Sequence, residues 1–146
     1  MSYAIDVNVL LYGSDEASVH HAPARRFLRE CSRRMEPFCL AWVTLVSYLR
    51  IATHPRIFSN PLTPRQAVNN VEQLVRLPQV RLLSESEGFL DIYSEVTGDL
   101  VVRGNLVPDA HLAALLKQHG VDVLYSRDRD LKKFDFLEVR DPFIQT

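Results

Sequence analysis

The sequence predicts an α/β fold in which a short parallel sheet lies between two layers of helices. Apolar runs of strand length alternate along the chain with amphipathic segments of helix length. Crossover connections between such strands make them parallel and cover both faces of the sheet with helices. The 146 residues are 47% hydrophobic and contain no repeat or linker. We therefore expect residues 1–146 to form one three-layer α/β/α domain.

The first half of the chain alternates strands and helices. We expect strands at residues 3–9 and 38–41 and helices at residues 20–34, 42–53 and 64–77. The first apolar run is followed by a turn signal at Gly13-Ser14, which favours a strand. Thr63, Pro64 and Gln66 have the types and spacing of a capping box, so they predict where the third of these helices begins.

The second half continues the alternation. We expect strands at residues 80–83, 121–125 and 137–139 and helices at residues 89–98 and 108–119. Gly98 and Gly120 are typical residues for the ends of these two helices. Residues 121–125 are almost continuously apolar, which is typical of a strand buried on both faces.

Charge and cysteine content exclude several classes of protein. The 18 acidic and 17 basic residues give a formal net charge of −1, so the chain does not bind nucleic acid through a bulk positive field. Two cysteines, Cys31 and Cys39, are too few for a disulfide framework, and we expect both to be reduced. The longest nearly apolar stretch, residues 39–49, is too short to cross a bilayer, so we expect a cytoplasmic protein without membrane association.

Three aspartates fall near predicted strand ends. Asp6 lies in or after the first strand, Asp109 follows Pro108 in a helix, and Asp128 follows the strand at residues 121–125. Ligands of open parallel sheets bind at the carboxyl ends of the strands. Carboxylates gathered there repel one another unless a cation lies between them, and Mg²⁺ is a suitable ion for such oxygen ligands.

Each aspartate also has a purely structural interpretation. Asp109 can serve the dipole of its helix, and Asp128 can be a turn residue. Asp6 is the strongest functional candidate of the three, because a carboxylate inside an apolar strand destabilises the fold unless it is paired.

The sequence resembles a known family in several ordered segments. Residues 5–11, 107–115 and 126–131 resemble the three signature segments of the PIN domain, specifically those of VapC-like toxins of bacterial toxin–antitoxin systems. The resemblance continues through residues 49–58 and 136–143 and so covers nearly the whole chain. It implies a PIN-like fold and an endoribonuclease dependent on Mg²⁺ or Mn²⁺ that cuts structured RNA such as tRNA or rRNA. It also implies a VapB-like antitoxin as partner and a homodimer.

The resemblance assigns roles to six residues. Asp6, Asp109 and Asp128 match the catalytic and metal-binding acids, while Asn8, Ser126 and Arg50 match positions that bind substrate. For two of these the residues leave an alternative open, in which Asn8 caps the local turn and Ser126 orders its loop.

Ser47 departs from the family pattern. Many PIN domains have a glutamate three residues before the arginine that Arg50 matches, and here no acid lies between Glu36 and Glu72. Two alternatives to the nuclease remain, and only the first of them rests on Ser47. One is a catalytically weakened PIN fold that binds RNA or antitoxin, and the other is a phosphotransferase with Asp6 as nucleophile. The second fits poorly, because such enzymes resemble a pattern with aspartate at the position of Asn8.

Arginines are concentrated on the helix predicted at residues 20–34. Of the 17 basic residues 14 are Arg, and five of them are Arg25, Arg26, Arg29, Arg33 and Arg34. Arginine binds phosphate through two parallel hydrogen bonds. Three interpretations remain open: an RNA-facing surface, a docking site for a protein partner and a solvated helix face.

Overall fold

The computed structural model describes residues 2–144, which contain a five-stranded sheet with the strand order β3-β2-β1-β4-β5. The strands are β1 (Tyr3–Ile5), β2 (Phe38–Ala41), β3 (Val80–Leu83), β4 (Val123–Tyr125) and β5 (Glu138–Arg140). Every neighbouring pair is parallel, as the crossover argument predicts. The central strand β1 therefore has β2 on one side and β4 on the other.

In the described part of the chain six α-helices flank the sheet. They are α1 (Val7–Ser14), α2 (His21–Arg33), α3 (Trp42–Ala52), α4 (Pro64–Val75), α5 (Phe89–Thr97) and α6 (Leu106–Gln118). The capping box that begins α4 is present, with Thr63 and Gln66 bonded reciprocally. A 3₁₀ turn at Arg129–Lys133 follows β4.

The first predicted strand is wrong beyond Ile5. β1 ends there, Asp6 is the N-cap, and α1 begins at Val7. A short apolar run is compatible with either structure, and here the Asp6 carboxylate decides for the helix by accepting the Val7 N–H at 2.8 Å. Gly13, expected in a turn, lies inside α1, where an added Cβ would come within 2.8 Å of the Leu28 side chain on α2.

The remaining elements agree with the prediction apart from their ends. β4 lacks the first two residues expected of it, β5 begins one residue later, and α6 begins two residues before Pro108. Such differences of one or two residues leave the order and type of the elements unchanged.

Two apolar clusters pack on opposite faces of the sheet and confirm the three-layer α/β/α architecture. Tyr3 and Ile5 of β1 lie in one cluster with residues of α1, α3 and α4, whereas Ala4 lies in the other with residues of α6. This division follows from the alternation of side chains along a strand. Cys31 and Cys39 belong to the two clusters separately, and both are buried free thiols, as expected.

Within residues 2–144, none of the helices combines the length and the apolar character that crossing a membrane requires.

Candidate active site

Two adjacent strands bring the first site residues together. Asp6 follows β1 and Ser126 follows β4, and the Asp6 N–H donates to the carbonyl oxygen of Tyr125 at 3.0 Å. Because β1 and β4 are parallel neighbours, both residues emerge at the same edge of the sheet. This is the carboxyl edge at which ligands of such sheets bind.

Asp6 is buried and held by three hydrogen bonds. The residue is only 7% exposed to solvent. Oδ1 accepts the Val7 N–H, while Oδ2 accepts the Ser126 hydroxyl at 2.7 Å and the Asn8 amide at 3.4 Å. Burial raises the pKa of Asp6, and the charge of Asp128 raises it further, although the bonds from Ser126 and Val7 act in the opposite direction.

Ser126 is the centre of this hydrogen-bond network. The residue is 2% exposed, and its hydroxyl donates to Asp6. The same oxygen accepts the Asn8 amide at 3.1 Å and the Asp128 N–H at 3.0 Å. These bonds use the one proton and both lone pairs of a hydroxyl. Buried Ser126 and half-buried Asn8 therefore form a scaffold between the start of α1 and the loop that carries Asp128.

Three further carboxylates form an acidic cluster beside this scaffold. Asp109 lies in the first turn of α6, and Asp128 caps the 3₁₀ turn that contains Asp130. One ligand oxygen from each of the three lies within 4.8 Å of the others. Asp109 and Asp128 are half-buried, whereas Asp130 is exposed and pairs with Lys133 at 3.4 Å.

The pKa of Asp109 reflects both its burial and its acidic neighbours. Burial raises its pKa to about 7, and the negative charges of Asp128, Asp6 and Asp130 contribute in that order. The hydrogen bond from the Asp128 N–H to the Ser126 hydroxyl joins the scaffold to the acidic cluster. Oxygen ligands that repel one another in this way fit a hard divalent cation such as Mg²⁺ or Mn²⁺.

Asp130 is the site residue that sequence reasoning left unplaced. The segment 126–130 contains two acids two residues apart, which was the available signal. Its place depends on the turn after β4, where Asp128 Oδ1 accepts the Asp130 N–H at 3.0 Å and folds the chain back.

Ser47 and Arg50 both lie on α3. Ser47 is half-buried, and Arg50 is exposed in the last turn of the helix. Within residues 2–144 the Arg50 guanidinium makes no ion pair with any of the site aspartates. The acidic cluster thus takes its carboxylates from α6 and the loop after β4, and α3 contributes none.

The fold and the acidic edge define a PIN domain, and the chain belongs to that family, which it matches over residues 3–137. The resemblance found in the sequence is confirmed, including its VapC-like character. Ribonuclease VapC48 of Mycobacterium tuberculosis is 41% identical over 143 residues, which cover 98% of this chain and 99% of the relative.

Two solved structures share the fold. VapC20 of Mycobacterium tuberculosis, described as a sarcin-ricin loop cleaving toxin, has a TM-score of 0.66 at 17% identity, covering 95% of this chain and 99% of that one. VapBC2 of Rickettsia felis, bound to a DNA fragment from its promoter, has a TM-score of 0.67 at 14% identity, covering 96% and 98%. At these identities the likeness establishes the fold alone.

Proposed function

We propose that this protein is a metal-dependent endoribonuclease and the toxin of a VapBC-like pair. One observation carries the proposal: at the carboxyl edge of the sheet, beside Asp6, one carboxylate oxygen from each of Asp109, Asp128 and Asp130 lies within 4.8 Å of the others, an arrangement that can hold a cation. Family membership and the identity with a ribonuclease support the same activity.

Asp109 and Asp128 would hold the ion directly, with Asp6 and Asp130 completing the acidic surroundings. Mg²⁺ or Mn²⁺ bound there would supply an activated water for attack on the phosphodiester and would neutralise charge on the transition state. The carboxylates alone repel the phosphate at the site, and a bound cation would remove this local repulsion.

The scaffold residues are proposed to position the catalytic acids. The hydroxyl of Ser126 and the side chain of Asn8 are fully engaged with Asp6 and the loop at Asp128, which favours positioning over contact with a phosphate. Arg50 remains the candidate for contact with the RNA backbone, because its guanidinium is exposed on α3.

An active enzyme is favoured over a weakened fold. The position of the usual glutamate is Ser47, yet Asp130 brings another carboxylate within ligand distance of Asp109 and Asp128. Mg²⁺ commonly takes one or two carboxylates and keeps several waters, so four acids are more than sufficient. Membership of the PIN family argues against the aspartate-nucleophile phosphotransferase.

The partners are proposed from the relatives. The Rickettsia felis relative is a VapBC2 assembly, which supports a VapB-like antitoxin for this chain. VapC20 is described as cleaving the sarcin-ricin loop, which supports a structured RNA, rRNA or tRNA, as substrate. We further propose a homodimer and a cytoplasmic location.

The test is cleavage of total RNA by purified protein in Mg²⁺, Mn²⁺ or EDTA. We expect cleavage only with metal, and loss of cleavage in Asp6→Ala and Asp109→Asn. Asp91→Asn, which removes an exposed acid of α5, is the matched control and keeps the parent rate. Equal cleavage in EDTA, or parent rates in both site variants, would refute the proposal.

A further inference from the structure

An arginine stripe runs along the exposed face of α2. It consists of Arg25, Arg29 and Arg33, which follow one another at intervals of four residues, and all three are exposed. Residues four apart on a helix share a face and lie about 6 Å apart along the axis. The buried residues Ala24 and Cys31 mark the opposite face of the helix.

The charges of the stripe are not neutralised within the protein. Residues 20–34 contain five arginines and one acid, Glu30, while the whole chain has a formal net charge of −1. Glu30 pairs with Arg34 at 3.1 Å, and no ion pair within residues 2–144 engages the arginines of the stripe. The stripe is therefore a concentrated positive surface on a nearly neutral molecule.

The stripe begins close to the candidate active site. His20, the N-cap residue of α2, lies against Arg127, whose Nη1 is 3.0 Å from His20 Nε2. Arg127 immediately precedes Asp128, and its N–H donates to Asn8 Oδ1 at 3.4 Å. Arg25 is five residues from His20, which places it about 7 Å further along the helix axis.

The cluster around Arg127 holds α2 in this position. The Arg127 guanidinium lies over the Phe143 ring, 5.3 Å from its centroid, and its Nε is 3.3 Å from the carboxylate of Asp141. His20 stacks on the same ring at 5.5 Å. These contacts join the loop of Asp128 to the start of α2. From there the stripe runs along α2 towards the opposite edge of the sheet, where Gln79, just before β3, bonds the carbonyl oxygens of Cys31, Ser32 and Arg34.

We propose that Arg25, Arg29 and Arg33 bind the sugar-phosphate backbone of the RNA strand that leads away from the scissile bond. This inference rests on the proposed ribonuclease function and adds where the substrate lies. A nucleic-acid strand is a linear series of phosphates, and a straight row of planar, permanently charged guanidinium groups is complementary to it. The stripe supplies the attraction that the acidic site lacks.

Binding without cleavage tests the stripe directly. The triple variant Arg25→Gln, Arg29→Gln, Arg33→Gln is compared with the parent on a fluorescein-labelled 20-nucleotide single-stranded RNA in EDTA, over a series of NaCl concentrations. Loss of three phosphate contacts makes the slope of log K against log salt less negative by about 2 and lowers the affinity at low salt by roughly 10–100-fold. The control variant Arg56→Gln, Arg65→Gln, Arg81→Gln removes three exposed arginines elsewhere and keeps the parent slope.

The outcomes separate this inference from the proposed function. Because binding is measured without metal, a protein that fails to cleave RNA still reports on the stripe. Metal-dependent cleavage together with an unchanged salt slope in the stripe variant would overturn the inference and leave the nuclease intact. A stripe variant that binds RNA like the parent but no longer retains a co-expressed antitoxin would also overturn it, since the stripe would then be a protein-docking surface.

Discussion

Two neighbouring groups of site residues differ in how their carboxylates are stabilised. The scaffold consists of Asp6, Asn8 and Ser126, and the acidic cluster consists of Asp109, Asp128 and Asp130. In the scaffold, each oxygen of the buried Asp6 carboxylate accepts at least one hydrogen bond. In the cluster, burial and then the charges of the neighbouring carboxylates raise the pKa of Asp109 to about 7. One half of the site, the scaffold, is therefore complete as folded, whereas the other half, the acidic cluster, leaves carboxylates that a cation would neutralise.

The largest expected effect comes from removing one negative charge from the acidic cluster. Asp109→Asn keeps the shape of the side chain but removes a proposed metal ligand, so the rate of RNA cleavage falls by about a thousandfold. Because the change also removes repulsion, the metal-free variant has a higher melting temperature than the parent at pH 8. Cleavage assays and thermal melts in EDTA check the two halves of this prediction. A lower melting temperature would contradict the view that the cluster is strained without metal.

Ser126→Ala tests the complete half. The substitution leaves the Asp6 carboxylate, the Asn8 amide and the Asp128 N–H each without one partner. We expect the free energy of unfolding to fall by about 1–3 kcal/mol and the activity or metal affinity to fall by about 10–100-fold. Chemical denaturation and metal titration measure these effects. Ser59→Ala, at an exposed serine, is the control and changes neither quantity; full activity in Ser126→Ala would contradict the positioning role.

The pH dependence of stability reports the protonation of Asp109 without a measurement of any catalytic rate. The pKa of Asp109 is about 7 in the folded protein, above its ordinary value of 3.8, so the folded state binds this proton more tightly than the unfolded state. Stability from this group is therefore greatest below pH 3.8 and declines as the pH rises towards 7. The difference between parent and Asp109→Asn melting curves in EDTA isolates this contribution. Mg²⁺ restores the parent above pH 7, and a difference independent of pH would refute the explanation.

The smallest effect is expected at the rim of the cluster. Asp130 is exposed and already paired with Lys133, so Asp130→Asn lowers metal affinity by only several-fold. In a separate variant of the parent, Ser47→Glu supplies an acid at the position that the family uses, and we expect it to raise the cleavage rate. Calorimetric Mn²⁺ titration and initial rates measure these changes. A loss of metal affinity in Asp130→Asn as large as that in Asp109→Asn would show instead that Asp130 binds the metal directly.

Sequence reasoning reached the fold because alternation of strands and helices leaves few arrangements open. It also placed Asp6, Asp109 and Asp128 at one edge, since that follows from parallel topology alone. The start of α1 was not predicted, because residues 3–11 are apolar enough for either a strand or a helix. Ser126 can be the centre of the hydrogen-bond network only because β1 and β4 are neighbours, and the order of elements along the chain does not reveal this pairing.

Asp6 ends a strand, caps a helix and faces the site with the same carboxylate. A change at this position is therefore exposed to two kinds of selection at once, one acting on chemistry and one on folding. Few substitutions can satisfy both, so the range of neutral variation at Asp6 is narrow. On the proposed roles, a change at Asp109 would remove a metal ligand and leave the fold intact, whereas a change at Asp6 would also remove the cap of α1.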